Sequence, residues 1–91
     1  MTVREIASKL DIKPEELEKE SLKVYLTQRL RHLESEIFRI GSKHGVKDIF
    51  QMDELIKGGK IHEDGSWEDF FILDNLEAER RKIQGILESL G

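Results

Sequence analysis

Two heptad-spaced tracts near opposite ends of the chain restrict what it can fold into more than any other feature. The first runs Lys23, Leu26, Leu30, Leu33, Ile37, Ile40; the second runs Leu73, Leu76, Arg80, Ile83, Leu87, Leu90. Steps alternating between three and four residues keep one stripe of a helix turned toward one neighbouring helix. Five of the six positions in each tract are apolar. Folded back on each other, the tracts pair Leu26 with Leu87, Leu30 with Ile83, Leu33 with Arg80 and Ile40 with Leu73. Every pair sums to 113, as an antiparallel alignment demands. A shift by one heptad satisfies much of the same pattern, so the alignment is one of two. Arg80, alone among apolar residues, is expected to lift its guanidinium toward Glu34 or Glu36 at the edge.

Punctuation along the chain places the remaining elements. Thr2-Val3-Arg4-Glu5 has capping-box spacing, which predicts a short helix over residues 3–10. Asp11-Ile12-Lys13 is a turn. Pro14 suits the first position of the next helix, and Glu15 and Glu16 favour its positive end. That helix is expected to reach His44, with Gly45 as its stop. Gly41 inside it costs about 1 kcal/mol relative to alanine and leaves room for a bend or an earlier end. A short helix over Lys47 to Lys57 follows, its buried side formed by Val46, Ile49 and Phe50, with Met52, Leu55 and Ile56 as further candidates. Residues 58–65 read as loop, Ser66 as an N-cap, and Trp67 to Leu90 as the last helix.

The fold class is therefore all-α: an antiparallel, coiled-coil-like helical hairpin with short N-terminal and connector helices, in one domain over residues 1–91. Its parts are 1–13, 14–44, 45–65 and 66–91. At 91 residues such a domain buries roughly 60–65% of its unfolded surface, so a lone monomer is only marginally stable. A homodimer, giving a dimeric helical bundle, is the expected remedy. Val24, Phe38, Phe70 and Phe71 fall outside the paired stripe and need some further cover.

Composition removes several function classes. Cysteine is absent, which excludes disulfides and thiolate metal sites. No apolar run is long enough for a transmembrane helix and the N-terminus has no signal-peptide pattern, so a cytoplasmic location is expected. His32, His44 and His62 lack metal-ligand spacing and read as surface residues. His62-Glu63-Asp64 could meet Glu68 or Asp69 but implies no rigid arrangement. The serines have no nucleophile elbow, and Gly58-Gly59-Lys60 lacks the rest of a phosphate loop. No enzymatic activity and no cofactor are expected.

Charge is more informative. Residues 23–47 carry six basic and two acidic side chains, whereas residues 48–79 carry ten acidic and two basic ones. The acidic stretch either folds back over the basic helix or docks on a basic partner. Within it, Trp67-Glu68-Asp69-Phe70-Phe71-Ile72-Leu73-Asp74 joins aromatics to carboxylates. Trp67, Asp69, Phe70, Phe71 and Asp74 are the candidate partner-binding residues. Core or dimer interface accounts for the same residues equally well. Arg4 to Ile12 resembles the opening of a helix-turn-helix, but Glu15, Glu16, Glu18 and Glu20 would then face phosphates. Nucleic acid is thus not the expected partner. A small DNA-associated regulator using residues 2–22 and the basic helix 23–47 is the alternative.

Several stretches resemble a group of small archaeal helical proteins, largely uncharacterised and in part similar to antitoxins of toxin–antitoxin pairs. The stretches are Glu20-Ser21-Leu22, Tyr25-Leu26, Leu30, Glu34 to Phe38, His44-Gly45-Val46, Asp53-Glu54-Leu55 to Lys60, and Trp67 to Phe71 through Leu76-Glu77. The resemblance implies a small helical protein that binds and silences a partner, such as a toxin nuclease. It names no partner, and its motifs are helix punctuation and core positions.

Overall fold

The computed structural model describes residues 1–59 and 66–91. Among the described residues four α-helices follow one another: α1 (Val3–Lys9), α2 (Pro14–His44), α3 (Ile49–Lys57) and α4 (Ser66–Leu90). There is no strand among the described residues. The loop around His62, Glu63 and Asp64, and the capping expected of the Ser66 side chain, lie outside them.

Each helix stops where backbone groups find another partner. Thr2 Oγ1 accepts the Glu5 N–H at 3.2 Å and opens α1. At its other end Asp11 takes a left-handed conformation (φ 57°), so that Ile12 N–H reaches back to the Ala7 carbonyl at 3.0 Å. Pro14, which has no N–H to leave unsatisfied, occupies the first position of α2. Gly45, at φ 69°, ends α2 and lets Val46 N–H donate to the Gly41 carbonyl at 2.8 Å. Gly41 does not end the helix, which continues to His44, and a Cβ there would stand 2.5 Å from the Val46 carbonyl oxygen. The glycine is needed because the chain closes down over it.

α3 begins two residues later than its apolar pattern suggests, because Asp48 is its cap. Asp48 Oδ1 accepts Gln51 N–H at 2.9 Å, while Gln51 Oε1 accepts Lys47 N–H at 2.8 Å.

α2 and α4 pack along their length as the two arms of the hairpin. All twelve heptad positions are buried or half-buried, and Leu33, Ile37, Ile40, Leu73 and Ile83 are buried outright. α3 closes over one side near the connector, where Met52 and Val46 join Ile37, Ile40 and Leu73. Leu33, Ile40, Met52 and Leu73 are the largest side chains fully removed from water. Each contributes about 1.5–3 kcal/mol relative to exposure. The hairpin is a rod, 60 × 22 × 15 Å, with its thickest core at the α3 end.

One side chain leaves the place expected of it, and a carboxylate is buried nearby. Phe50, expected on the buried side of α3, is 75% exposed, while Glu77 is 3% exposed. The reason is the start of α3. Glu77 Oε2 accepts Ile49 N–H at 2.8 Å, and Ile49 is the first residue of that helix. A carboxylate satisfies the orphan amide and the positive helix end together. Of the two acids expected near Arg80, Glu36 is engaged by Arg39 at 2.6 Å, and Arg80 lines a shallow groove with the other, Glu34, and with Phe38.

Candidate functional site

The first turns of α4 carry the residues singled out from the sequence, and the structure divides them. Trp67, Phe70 and Phe71 form one aromatic cluster. Trp67 and Phe70 meet edge to face with ring centroids 5.9 Å apart, and Phe70 and Phe71 likewise at 5.5 Å. Phe70 leans on the core, half-buried, whereas Trp67 and Phe71 are each 58% exposed. This chain leaves that much aromatic surface in water.

Beside the cluster, α3 and α4 frame a groove lined by Ile49, Phe50, Asp53, Phe70, Asp74 and Arg81. Phe50 is the residue that sequence reasoning misplaced. Assigned to the core, it instead extends the aromatic surface from α4 onto α3. Asp74 is exposed at the edge of the groove, and Asp53 is paired with Lys57 at 2.8 Å on the opposite edge. Aromatic faces bounded by carboxylates suit a cationic group, by attraction to both the ring faces and the acids.

Asp69 does not belong to this surface. Its Oδ2 accepts from Lys43 Nζ at 2.9 Å and from His44 Nε2 at 2.7 Å, and its side chain is 14% exposed. Those two hydrogen bonds, Lys43 first, hold its carboxyl below the usual carboxylate range. The physical reason is position. His44 lies four residues beyond Ile40 and Asp69 four before Leu73, so the pair extends the paired stripe by one polar layer. His44, read from the sequence as a surface residue, is correspondingly covered, at 11% exposed.

The acidic stretch does fold back on the basic helix in part. Besides Lys43–Asp69, Arg29 clasps Glu79 through Nε at 3.1 Å and Nη2 at 3.0 Å. Arg29 and Glu79 each precede a stripe position, Leu30 and Arg80, and so flank it on one edge. Glu68 and Asp74 remain exposed on α4.

At the other end of the molecule, α1, the turn and the start of α2 form two helices at the expected place. Glu15, Glu16, Glu18 and Glu20 are all exposed on the second of them. Such a face repels phosphate. Among the described residues no three histidine, aspartate or glutamate side chains group as metal ligands would, and no helix is long and apolar enough to cross a membrane.

Across residues 1–91 the chain matches the model of the Uncharacterized protein MJ0235 family, and it belongs to that family. No curated protein and no solved structure matches it.

Proposed function

We propose that this member of the family is a non-enzymatic protein-binding module that captures a basic partner, as an antitoxin masks a toxin nuclease. Its docking surface is the start of α4 with the outer side of α3: Trp67, Phe70, Phe71 and Phe50, bordered by Asp74. The observation that carries the reading is the exposure of Trp67 and Phe71 beside a groove with carboxylates on its edges. Aromatic residues of this kind dominate binding energy when a partner desolvates them, and an arginine or lysine of the partner gains about 0.5–2 kcal/mol over such a ring. A nuclease site built to hold phosphate is rich in those cations, and an acidic surface steers toward it.

Co-purification with the product of the gene adjacent to its own tests the reading. A basic protein retained by the wild type and lost by Phe71→Ala/Asp74→Lys supports it. Equal capture by both proteins sinks the surface. Binding to duplex DNA that weakens steeply with salt would instead favour the DNA-associated regulator.

A further inference from the structure

The outer side of α2 carries a second heptad stripe, separate from the one that packs on α4, and its Phe38 end reaches the edge of the hairpin, in a groove shared with Glu34 and Arg80. It runs Ser21, Val24, Gln28, Arg31, Ser35, Phe38, again in alternating steps of three and four. All six are exposed, Phe38 at 76% and Val24 at 55%. In a chain that is 37% charged, this stripe holds one charged residue and no acid. α1 packs on α2, and Leu17, which continues the stripe one step toward the N-terminus, is half-buried. From Ser21 onward the stripe is exposed among the described residues.

We infer that this face is where a second copy of the chain docks, with the two α2 helices antiparallel. Charge sets the direction. Residues 14–22 hold Glu15, Glu16, Glu18, Lys19 and Glu20, a net of −3, whereas residues 37–45 hold Arg39 and Lys43, a net of +2. Antiparallel pairing lays each acidic end on the basic end of the other copy. Parallel pairing would set Glu18 and Glu20 against their own copies.

Side-chain size sets the alignment. Phe38 falls opposite Ser21 of the second copy, Val24 opposite Ser35, and Gln28 opposite Arg31. Each bulky group therefore meets a small or flexible one. Glu18 and Arg39, which flank the stripe on one edge, come within one turn of each other across the interface. The surface has a recess at the matching place: Glu20, Ser21, Val24, Tyr25 and Gln28 line a shallow groove, where the alignment delivers the Phe38 ring. The dimer is independent of the aromatic surface on α3 and α4, which it leaves open.

Sedimentation of the full chain and cysteine crosslinking test this together. The wild type should sediment at twice its 10.6 kDa mass, and Phe38→Glu at the monomer mass with unchanged helical circular dichroism. The chain has no cysteine of its own. A mixture of Val24→Cys and Ser35→Cys should therefore give an interchain disulfide dimer under mild oxidation. Neither variant alone should, since in this alignment each site lies about 16 Å along the axis from its own copy. A monomeric wild type overturns the proposal. So does crosslinking of Ser35→Cys alone, which marks a parallel pair. Dissociation by Phe71→Ala but not by Phe38→Glu overturns it too, by placing the dimer on the aromatic surface.

Discussion

His44 Nε2 donates to Asp69 Oδ2 across 2.7 Å, joining the last turn of α2 to the first turns of α4. The pair is the polar end of an otherwise apolar stripe, and Lys43 adds a second donor to the same oxygen at 2.9 Å. Asp69 has a folded pKa below its unfolded value of about 3.9. Its pairing therefore contributes stability above the unfolded pKa and loses it as pH falls through the folded one. Asp69→Asn should be less stable than wild type at pH 7, by about 1–3 kcal/mol. The gap between the two denaturation midpoints should begin to narrow as pH falls below about 4, the unfolded value, and should close as pH falls through the lower folded pKa. A gap of constant size down to pH 2 would refute this role.

Glu77 is the second internal carboxylate, and its removal should loosen α3 before anything else. Glu77→Ala leaves the Ile49 amide without an acceptor in a covered place. A loss of about 1–3 kcal/mol is expected, and each kcal/mol lowers Tm by about 4–8 °C in a domain of this size. Amide hydrogen exchange should accelerate across Ile49–Lys57 and little along the middle of α2. Uniform acceleration would mean that Glu77 supports the hairpin and not α3.

At Gly41 two effects oppose each other, and their sizes decide the sign. Alanine gains about 1 kcal/mol of helix propensity. Its Cβ would meet the Val46 carbonyl oxygen at 2.5 Å, a backbone atom held by its own helix end. Overpacking of this kind costs about 1–3 kcal/mol or more. Gly41→Ala should therefore be destabilising in urea denaturation, and a stabilised variant would show that the turn at Gly45 gives way freely.

Large side chains divide sharply by side of the molecule. Leu33→Ala and Leu73→Ala, both at fully covered positions, should each lose about 2–5 kcal/mol. Phe50→Ala, at a position 75% exposed, should stay within about 0.5 kcal/mol of wild type in thermal denaturation. Similar losses for Phe50 and Leu33 would show that Phe50 is covered in solution.

How much of this was legible beforehand follows from what kind of contact each residue makes. Leu26 to Ile40 and Leu73 to Leu90 announce themselves through spacing, because burial along one stripe is a local, periodic property. Pro14 and Gly45 bound α2 for reasons confined to their own backbone. The pairing of His44 with Asp69 is not announced by the apolar pattern, because neither residue is apolar. Extending both heptads by one step finds them, and their numbers sum to the same 113 as the apolar pairs. Glu77 and Phe50 could not be read this way. Which of them turns inward depends on where the first amide of α3 arrives after a chain reversal, and no spacing within α4 encodes that. The same limit applies to the proposed docking surface: Trp67, Phe70, Phe71 and Asp74 stand out by their chemistry, whereas the exposure of Phe50 beside them appears only once α3 is docked.

Trp67 is the only tryptophan in the chain, so its emission reports on the proposed docking surface without a label. The most direct test is to add the basic protein obtained by co-purification to the intact protein and follow Trp67 fluorescence and its quenching by acrylamide. The account predicts a blue shift and reduced quenching on binding, both absent in Phe71→Ala/Asp74→Lys. Binding that leaves the emission and its quenching unchanged would contradict it, as would the failure of any basic partner to bind.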